Sequence, residues 1–391
     1  MPSVPEYLKT LLDRLRVARE AAGVTRSALE EALILGPGWI ERFETSATVP
    51  TIDMVLAILS EVGSGLPDLL RGLPEPDAAS IERSIFAEQT ADGLVVNFRY
   101  SNFDARYTLR SARLEEFEVV IKTLRDGLAR LADPSVGSAE AIKSESIARA
   151  FLAAAGLWPT ENPSDIWWFV IYRAYCDPFN HPARFARLDF AQSWKRAGGW
   201  ALEEVLERHY SPYLKSVGIN LLISDSATKV ALIETLGLAD RAEADKIDLI
   251  LTGETDTGPR FFGIVNVKAS FAERRTDDQP LSEVMRSAGY TSPLWTMDCK
   301  GTPSSAPVNR GELGPVGPKK SAKRRDIEDE GYFTGCFSYN RNTRPSPATL
   351  DDENRVFVCD FSNPDDEFTK FIRRRWRRFQ THGIEERPRL R

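Results

Sequence analysis

Asp248 and Lys268 are the pair in this sequence most suited to acid–base and metal chemistry. Asp248 opens the apolar run Leu249-Ile250-Leu251, and Lys268 closes the run Phe261-Phe262-Gly263-Ile264-Val265-Asn266-Val267-Lys268, with a break at Gly253 to Gly258. The two runs read as an antiparallel pair of buried strands, and a turn near Gly258 sets a carboxylate and an ammonium beside the same sheet edge. Such a pairing suits phosphodiester hydrolysis. Carboxylates hold a divalent cation that polarises the phosphate, while the lysine positions water or offsets developing charge. Magnesium is the natural ion for oxygen ligands.

The period of a strand puts Asn266 and Lys268 on one face. An Asp followed on the next strand by an acidic residue, any residue and Lys is the PD-(D/E)XK nuclease motif, which this passage resembles with Asn266 in the second acidic slot. Restriction enzymes that cut at CCGG cores have a neutral residue in that slot and take a replacement Glu from the following helix, and Glu283 lies at the corresponding distance. The run from Lys268 through Glu273-Arg274-Arg275-Thr276-Asp277-Asp278 to Glu283 is similar to that of the BsaWI and AgeI type of type II restriction endonucleases.

The resemblance implies a homodimeric enzyme that uses Mg2+ to cut both strands of double-stranded DNA at a short palindrome with a CCGG core. It implies that Asp248 and Glu283 hold the metal and that Lys268 orients or activates water. Glu145 on an early helix corresponds to an accessory acid, with Glu140 as its rival. Arg274 and Arg275 correspond to readers of guanine O6 and N7, and Asp277 or Asp278 to acceptors from cytosine N4. Asp278 stands where the family has a second Arg, which leaves the number of guanine-reading arginines open.

The fold that positions such a site is α/β, a mixed sheet flanked by helices. It is preceded by an all-α N-terminal segment. There, residues 6 to 22 form a first helix that Gly23 ends, Thr25 caps a second, Pro37 to Phe43 makes a third and a fourth starts at Thr51. This succession resembles the lambda-repressor-like (Xre) helix-turn-helix domain, whose third helix enters the major groove, so Trp39 and Arg42 are its candidate DNA-binding residues. Residues 1 to 70 hold six basic and ten acidic side chains, the wrong balance for phosphate contact, so dimerisation or packing on the next domain is an equal alternative.

Residues 71 to 84 read as a linker. Residues 85 to 132 read as a ββα unit that braces a neighbour or pairs with its own copy, and 133 to 391 as the nuclease domain. The stretch Gly301 to Arg325, rich in Gly, Pro and basic residues, reads as a long loop that is functional or disordered. Near the C-terminus, five arginines fall within Phe371 to Phe379. They either grip phosphate, with Arg374 and Arg377 as the candidates, or pair with the acidic stretches 351–353 and 365–367. Trp158, Trp167, Trp168, Tyr172 and Tyr175 read as core in preference to base-stacking residues.

Composition limits the alternatives. The 391 residues are 42% hydrophobic and 28% charged, with a net charge of −6, so any DNA contact is local. No apolar run approaches the length of a membrane span, and the N-terminus lacks the features of a secretory signal. The four cysteines are far apart and the three histidines have no zinc-ligand spacing. These observations point to a cytoplasmic protein with no membrane partner and no organic cofactor. Two other readings stay open: a transcriptional regulator with a C-terminal effector or dimerisation domain, which leaves the Asp248, Lys268 and Glu283 set unexplained, and a modification-dependent nuclease of the same fold.

Overall fold

A computed structural model describes residues 4–45, 48, 50–73, 84–100, 103–133, 135–182, 189–271, 275–301, 303 and 308–382. The chain forms two compact units, Met1–Glu82 and Arg83–Arg391.

The first unit is helical: α1 (Val4–Ala21), α2 (Arg26–Ala32), α3 (Trp39–Glu44), α4 (Ile52–Glu61) and α5 (Leu66–Leu70). Local chemistry sets its boundaries. Thr25 and Thr51 accept the backbone N–H groups of Ala28 and Met54, capping α2 and α4. The buried Glu30 carboxylate accepts the Ile40 N–H at 3.0 Å, which caps the start of α3 from another helix. Leu15, Leu29, Ile40, Phe43, Val55, Ile58, Leu59 and Leu69 form the core.

The second unit begins with an antiparallel meander, β1 (Ile85–Thr90), β2 (Gly93–Tyr100) and β3 (Phe103–Leu109), followed by α6 (Leu114–Ala129) and α7 (Ala139–Leu157). One more strand is present than the ββα pattern indicated. The meander and α6 also share a core with the rest of the unit, because Leu94, Val96, Phe117 and Leu124 pack into the same cluster as Phe151, Trp167 and Leu206. The chain continues through α8 (Pro163–Asp165), a π-helical stretch over Ile166–Ile171, α9 (Tyr172–Cys176) and the long α10 (Phe190–Ser216). Trp158, Trp167 and Tyr175 are fully buried, whereas Trp168 and Tyr172 keep part of their surface exposed.

The main sheet has the order β4 (Ile219–Ile223), β5 (Leu249–Thr255), β6 (Gly258–Lys268), β7 (Leu294–Thr296), β8 (Cys336–Ser338) and β9 (Val356–Val358). It is antiparallel from β4 to β6 and parallel from β6 to β9. The near-continuous apolar sequence of β5 and β6 reflects cover on both faces. Leu249, Leu251, Val265 and Val267 join the large core containing α7 and α10. Ile250 and Ile264 face the other way, with Ile233 of α11 (Ser226–Thr235) and Leu281 and Met285 of α12 (Arg275–Ser287).

Two glycines allow the close packing. A Cβ on Gly263 would lie 2.2 Å from the Thr291 carbonyl, and one on Gly253 would lie 2.3 Å from the Trp376 ring of α14 (Glu367–His382).

The segment 301–325 is pinned where it is described. Asn309 donates to Ser164 Oγ at 2.7 Å and to Asp165 Oδ1 at 2.8 Å, and the fully buried Arg324 of α13 (Ala322–Glu328) bonds Glu328 at 2.7 Å and the Arg344 carbonyl at 2.6 Å. The four cysteines are free thiols. Among the described residues no helix is long and apolar enough to cross a membrane.

Candidate active site at the edge of the main sheet

Asp248 immediately precedes β5, and the antiparallel register Leu249↔Val265 sets it beside the end of β6. Its Oδ2 accepts the Val267 N–H at 2.6 Å and a Lys268 Nζ–H at 3.2 Å. The strand alternation that turns Val265 and Val267 into the large core turns Lys268 the opposite way, toward α12. Asp278, in the first turns of α12, completes the group, with Oδ2 at 3.0 Å from Lys268 Nζ. Burial works against the Lys268 charge, but Asp248 and Asp278 outweigh it and hold its pKa above the ordinary lysine value. The side chain is therefore an ammonium at neutral pH, suited to orienting water and neutralising charge.

A third carboxylate approaches from α10. Burial, and after it the charge of Asp248, pushes Glu203 up to about 8. Nothing in the local sequence marks Glu203, which lies in an ordinary helical pattern, and only the packing of α10 on the sheet brings it here. On the side of α13, Lys323 and Asp326 line a small cleft together with Lys268, Asp278, Phe271 and Phe333.

Asn266 is buried, and its amide donates to Ser292 Oγ at 3.0 Å and to the Pro293 carbonyl at 3.1 Å. Ser292 in turn bonds Ser282 of α12 at 2.7 Å. The neutral residue in the acidic slot therefore anchors the helix that carries Asp278. Asn266 Oδ1 is buried with no hydrogen-bond partner.

The residues fit a divalent cation. Asp248 and Asp278 supply oxygens, Glu203 retains its proton because burial and then the charge of Asp248 outweigh Lys229 and Lys268, and Asn266 Oδ1 is a buried acceptor. Among the described residues no cluster of three metal-ligating side chains is already assembled. One or two carboxylates with waters and substrate phosphate is the usual manner of Mg2+.

Several candidates from the sequence fall elsewhere. Glu283 lies on the exposed side of α12, roughly 140° around the helix from Asp278, because Leu281, Ser282 and Met285 take the inward positions. The acid that meets Lys268 is thus Asp278, to which the family resemblance gives a role in base reading. Glu145 is held by Arg130 at 2.6 Å and Arg208 at 3.4 Å, and these arginines, Arg130 first, keep its pKa below the usual carboxylate range. Glu140 is exposed at the start of α7. Arg274 lies outside the described residues, and of Arg275 and Asp277 only the helical backbone is described.

In α14, Arg374 pairs with Asp352 at 2.8 Å, Arg378 with Glu353 at 2.8 Å and Arg375 with the same Glu353, and Arg373 lies 3.4 Å from Asp365. Arg377 is exposed. The acidic stretches thus hold most of this helix's arginines. In the N-terminal unit, Trp39 and Arg42 are exposed on α3, with the guanidinium 5.7 Å from the ring centroid. Arg19 and Arg26, by contrast, are tied to Glu44.

The chain is similar to several known proteins. A helix-turn-helix domain model matches residues 10–71. The type II restriction enzyme AgeI of Thalassovita gelatinovora is 37% identical over 247 residues, which is 61% of this chain and 86% of that enzyme. The crystal structure of an AgeI–DNA complex aligns with a TM-score of 0.62 and 32% identity, covering 72% of this chain and 99% of the other. A BsaWI–DNA complex aligns over 68% of this chain and 94% of its own, at 17% identity and a TM-score of 0.35. The chain carries a helix-turn-helix domain at its N-terminus and belongs to the AgeI family of type II restriction enzymes, which are site-specific deoxyribonucleases.

Proposed function

We propose that this enzyme hydrolyses both strands of duplex DNA at a short palindrome with a CCGG core, as a homodimer and with Mg2+. The observation that carries the reading is the convergence of Asp248, Lys268 and Asp278 at the β5–β6 edge in a chain of this family. Two-fold protein symmetry matches the two-fold symmetry of a palindrome.

Asp248 and Asp278 are the residues that would hold the cation, with Glu203 as a third acid able to join them on losing its proton. When bound, the ion polarises the scissile phosphate and favours loss of a proton from water. Lys268 holds the attacking water in line with the departing 3′ oxygen and offsets the charge that develops on the phosphate. Arg275 and Asp277, at the start of α12 beside Asp278, together with the adjacent Arg274, are the proposed readers of bases. Arg377 on α14 and Trp39 and Arg42 on α3 are further candidates for DNA contact.

Lys268→Ala tests the assignment. Cleavage of plasmid DNA in Mg2+ should fall by roughly a hundredfold or more while duplex binding persists, and a fully active variant would remove the site from the mechanism. A paired measurement separates the two acids of α12. Asp278→Asn should lose cleavage to a similar degree, and Glu283→Gln should cut within a few-fold of the wild type; the reverse result would restore Glu283 as the working acid.

A further inference from the structure

Arg173 of α9 has an unusual setting. Its guanidinium is surrounded by four aromatic rings, with centroids at 4.6 Å (Tyr172), 5.0 Å (Tyr100), 5.2 Å (Phe98) and 5.3 Å (Trp168). The rings come from β2, the π-helical stretch and α9, so the cage exists only in the folded chain. Trp168 and Tyr172 stack at 4.7 Å, and the Tyr100 hydroxyl is fixed by donation to the Gly301 carbonyl at 3.2 Å.

Among the described residues no carboxylate lies within ion-pair distance of Arg173; its polar neighbours Tyr172, Tyr100 and Cys176 are uncharged at neutral pH, and its Nε–H is buried without an acceptor. Arginine stays protonated at any working pH, so the rings hold a cation through their faces and leave its in-plane N–H edge as the remaining donor surface. That edge is not sealed, since Arg173, Tyr100, Trp168 and Tyr172 all keep partial exposure.

The cage is linked to the candidate active site through the backbone. Beyond Lys268, the Ala269 carbonyl accepts the Cys299 N–H at 3.0 Å. Cys299 lies near Arg173, and Gly301, two residues on, holds Tyr100. A rigid, unneutralised guanidinium that offers its edge suits two oxygens of one anion. A DNA strand that brings one phosphate to Lys268 carries others on either side.

We propose that Arg173, held in the ring cage of Phe98, Tyr100, Trp168 and Tyr172, clamps a backbone phosphate of duplex DNA that flanks the scissile one. Arg173 is then a positioning residue, because it touches the substrate's backbone and not the reacting atoms. The inference rests on the reading of the protein as a DNA-cutting enzyme.

The test uses the full chain in EDTA. The affinities of Arg173→Met and wild type are measured for a CCGG-containing and a CCGG-free duplex between about 50 and 200 mM salt, alongside thermal midpoints. A phosphate clamp predicts that the variant binds both duplexes about tenfold more weakly at low salt, with a salt slope shallower by roughly 0.9 for the lost contact. A folded variant with the wild-type slope overturns the clamp, and a lowered midpoint with that slope assigns Arg173 a purely structural role.

Should Arg173→Met fail to fold, Arg173→Lys decides. The clamp predicts the wild-type slope with several-fold weaker binding, since the charge remains and the fork is lost, and unchanged affinity overturns it. A wild type that binds duplex but never cuts counts against the nuclease reading alone. A wild type that cuts, beside an Arg173→Met variant that binds as it does, counts against the clamp alone.

Discussion

The charges around Lys268 are out of balance in a way that has measurable consequences. Two aspartates serve one ammonium, and Glu203 behind them keeps its proton up to about pH 8, chiefly through burial and then through Asp248. A glutamate in an unfolded chain titrates near 4.3. Between about pH 4.3 and 8 the folded state therefore binds more protons than the unfolded state, and stability from this group is lost as pH rises through that window. In EDTA, Glu203→Gln should flatten the fall of the thermal midpoint across this range relative to wild type. An identical pH dependence in the two proteins would show that Glu203 titrates normally. The same reasoning has a chemical side, because a cation at Asp248 and Asp278 would draw the proton from Glu203, so metal binding near pH 7 should release protons.

At the scale of elements, the site depends on how closely β6 meets its neighbours. Gly263 bridges Thr291 in the chain entering β7, and the Thr291 carbonyl occupies the space a Cβ would need. That contact is backbone and cannot rotate away. Gly263→Ala should therefore destabilise the second unit by about 1–3 kcal/mol, read as a lower urea midpoint at unchanged m-value. It should also impair cleavage by shifting Ser292, to which the Asn266 amide and Ser282 are bonded. A variant as stable and active as wild type would show that the strands can part without disturbing the site. The arginines of α14 belong to this scale as well: their pairing with Asp352, Glu353 and Asp365 ties the helix to the end of the sheet.

At the scale of the whole molecule, the catalytic and helix-turn-helix parts are separate compact units, and Asp248, Lys268, Asp278, Glu203 and Arg173 all belong to Arg83–Arg391. A chain beginning at Arg83 should fold and cut DNA at the same sequence, with a rate at saturating DNA within a few-fold of the full chain. Loss of cleavage in a folded truncated chain would make the N-terminal unit part of the catalytic assembly. The meander β1–β3 behaves differently, since Leu94 and Val96 are buried in the same core as α7 and α10. Its removal should unfold the unit that cuts.

Features that depend on local pattern are legible along the chain. Threonine caps and helical periodicity fixed the N-terminal helices, alternating and continuous apolar runs fixed β5 and β6, and their antiparallel turn brought Asp248 to Lys268. Which acids join that pair depends on the packing of distant elements. Helix phase turned Glu283 to solvent and Asp278 inward, ion pairing drew Glu145 to Arg130, and the packing of α10 delivered Glu203 from 45 positions before Asp248. The physical reason is that strand alternation repeats every two residues and can be read along the chain. The choice among several exposed-looking acids depends instead on which helix face packs and which cations lie across it, and those are properties of distant residues brought together by the core.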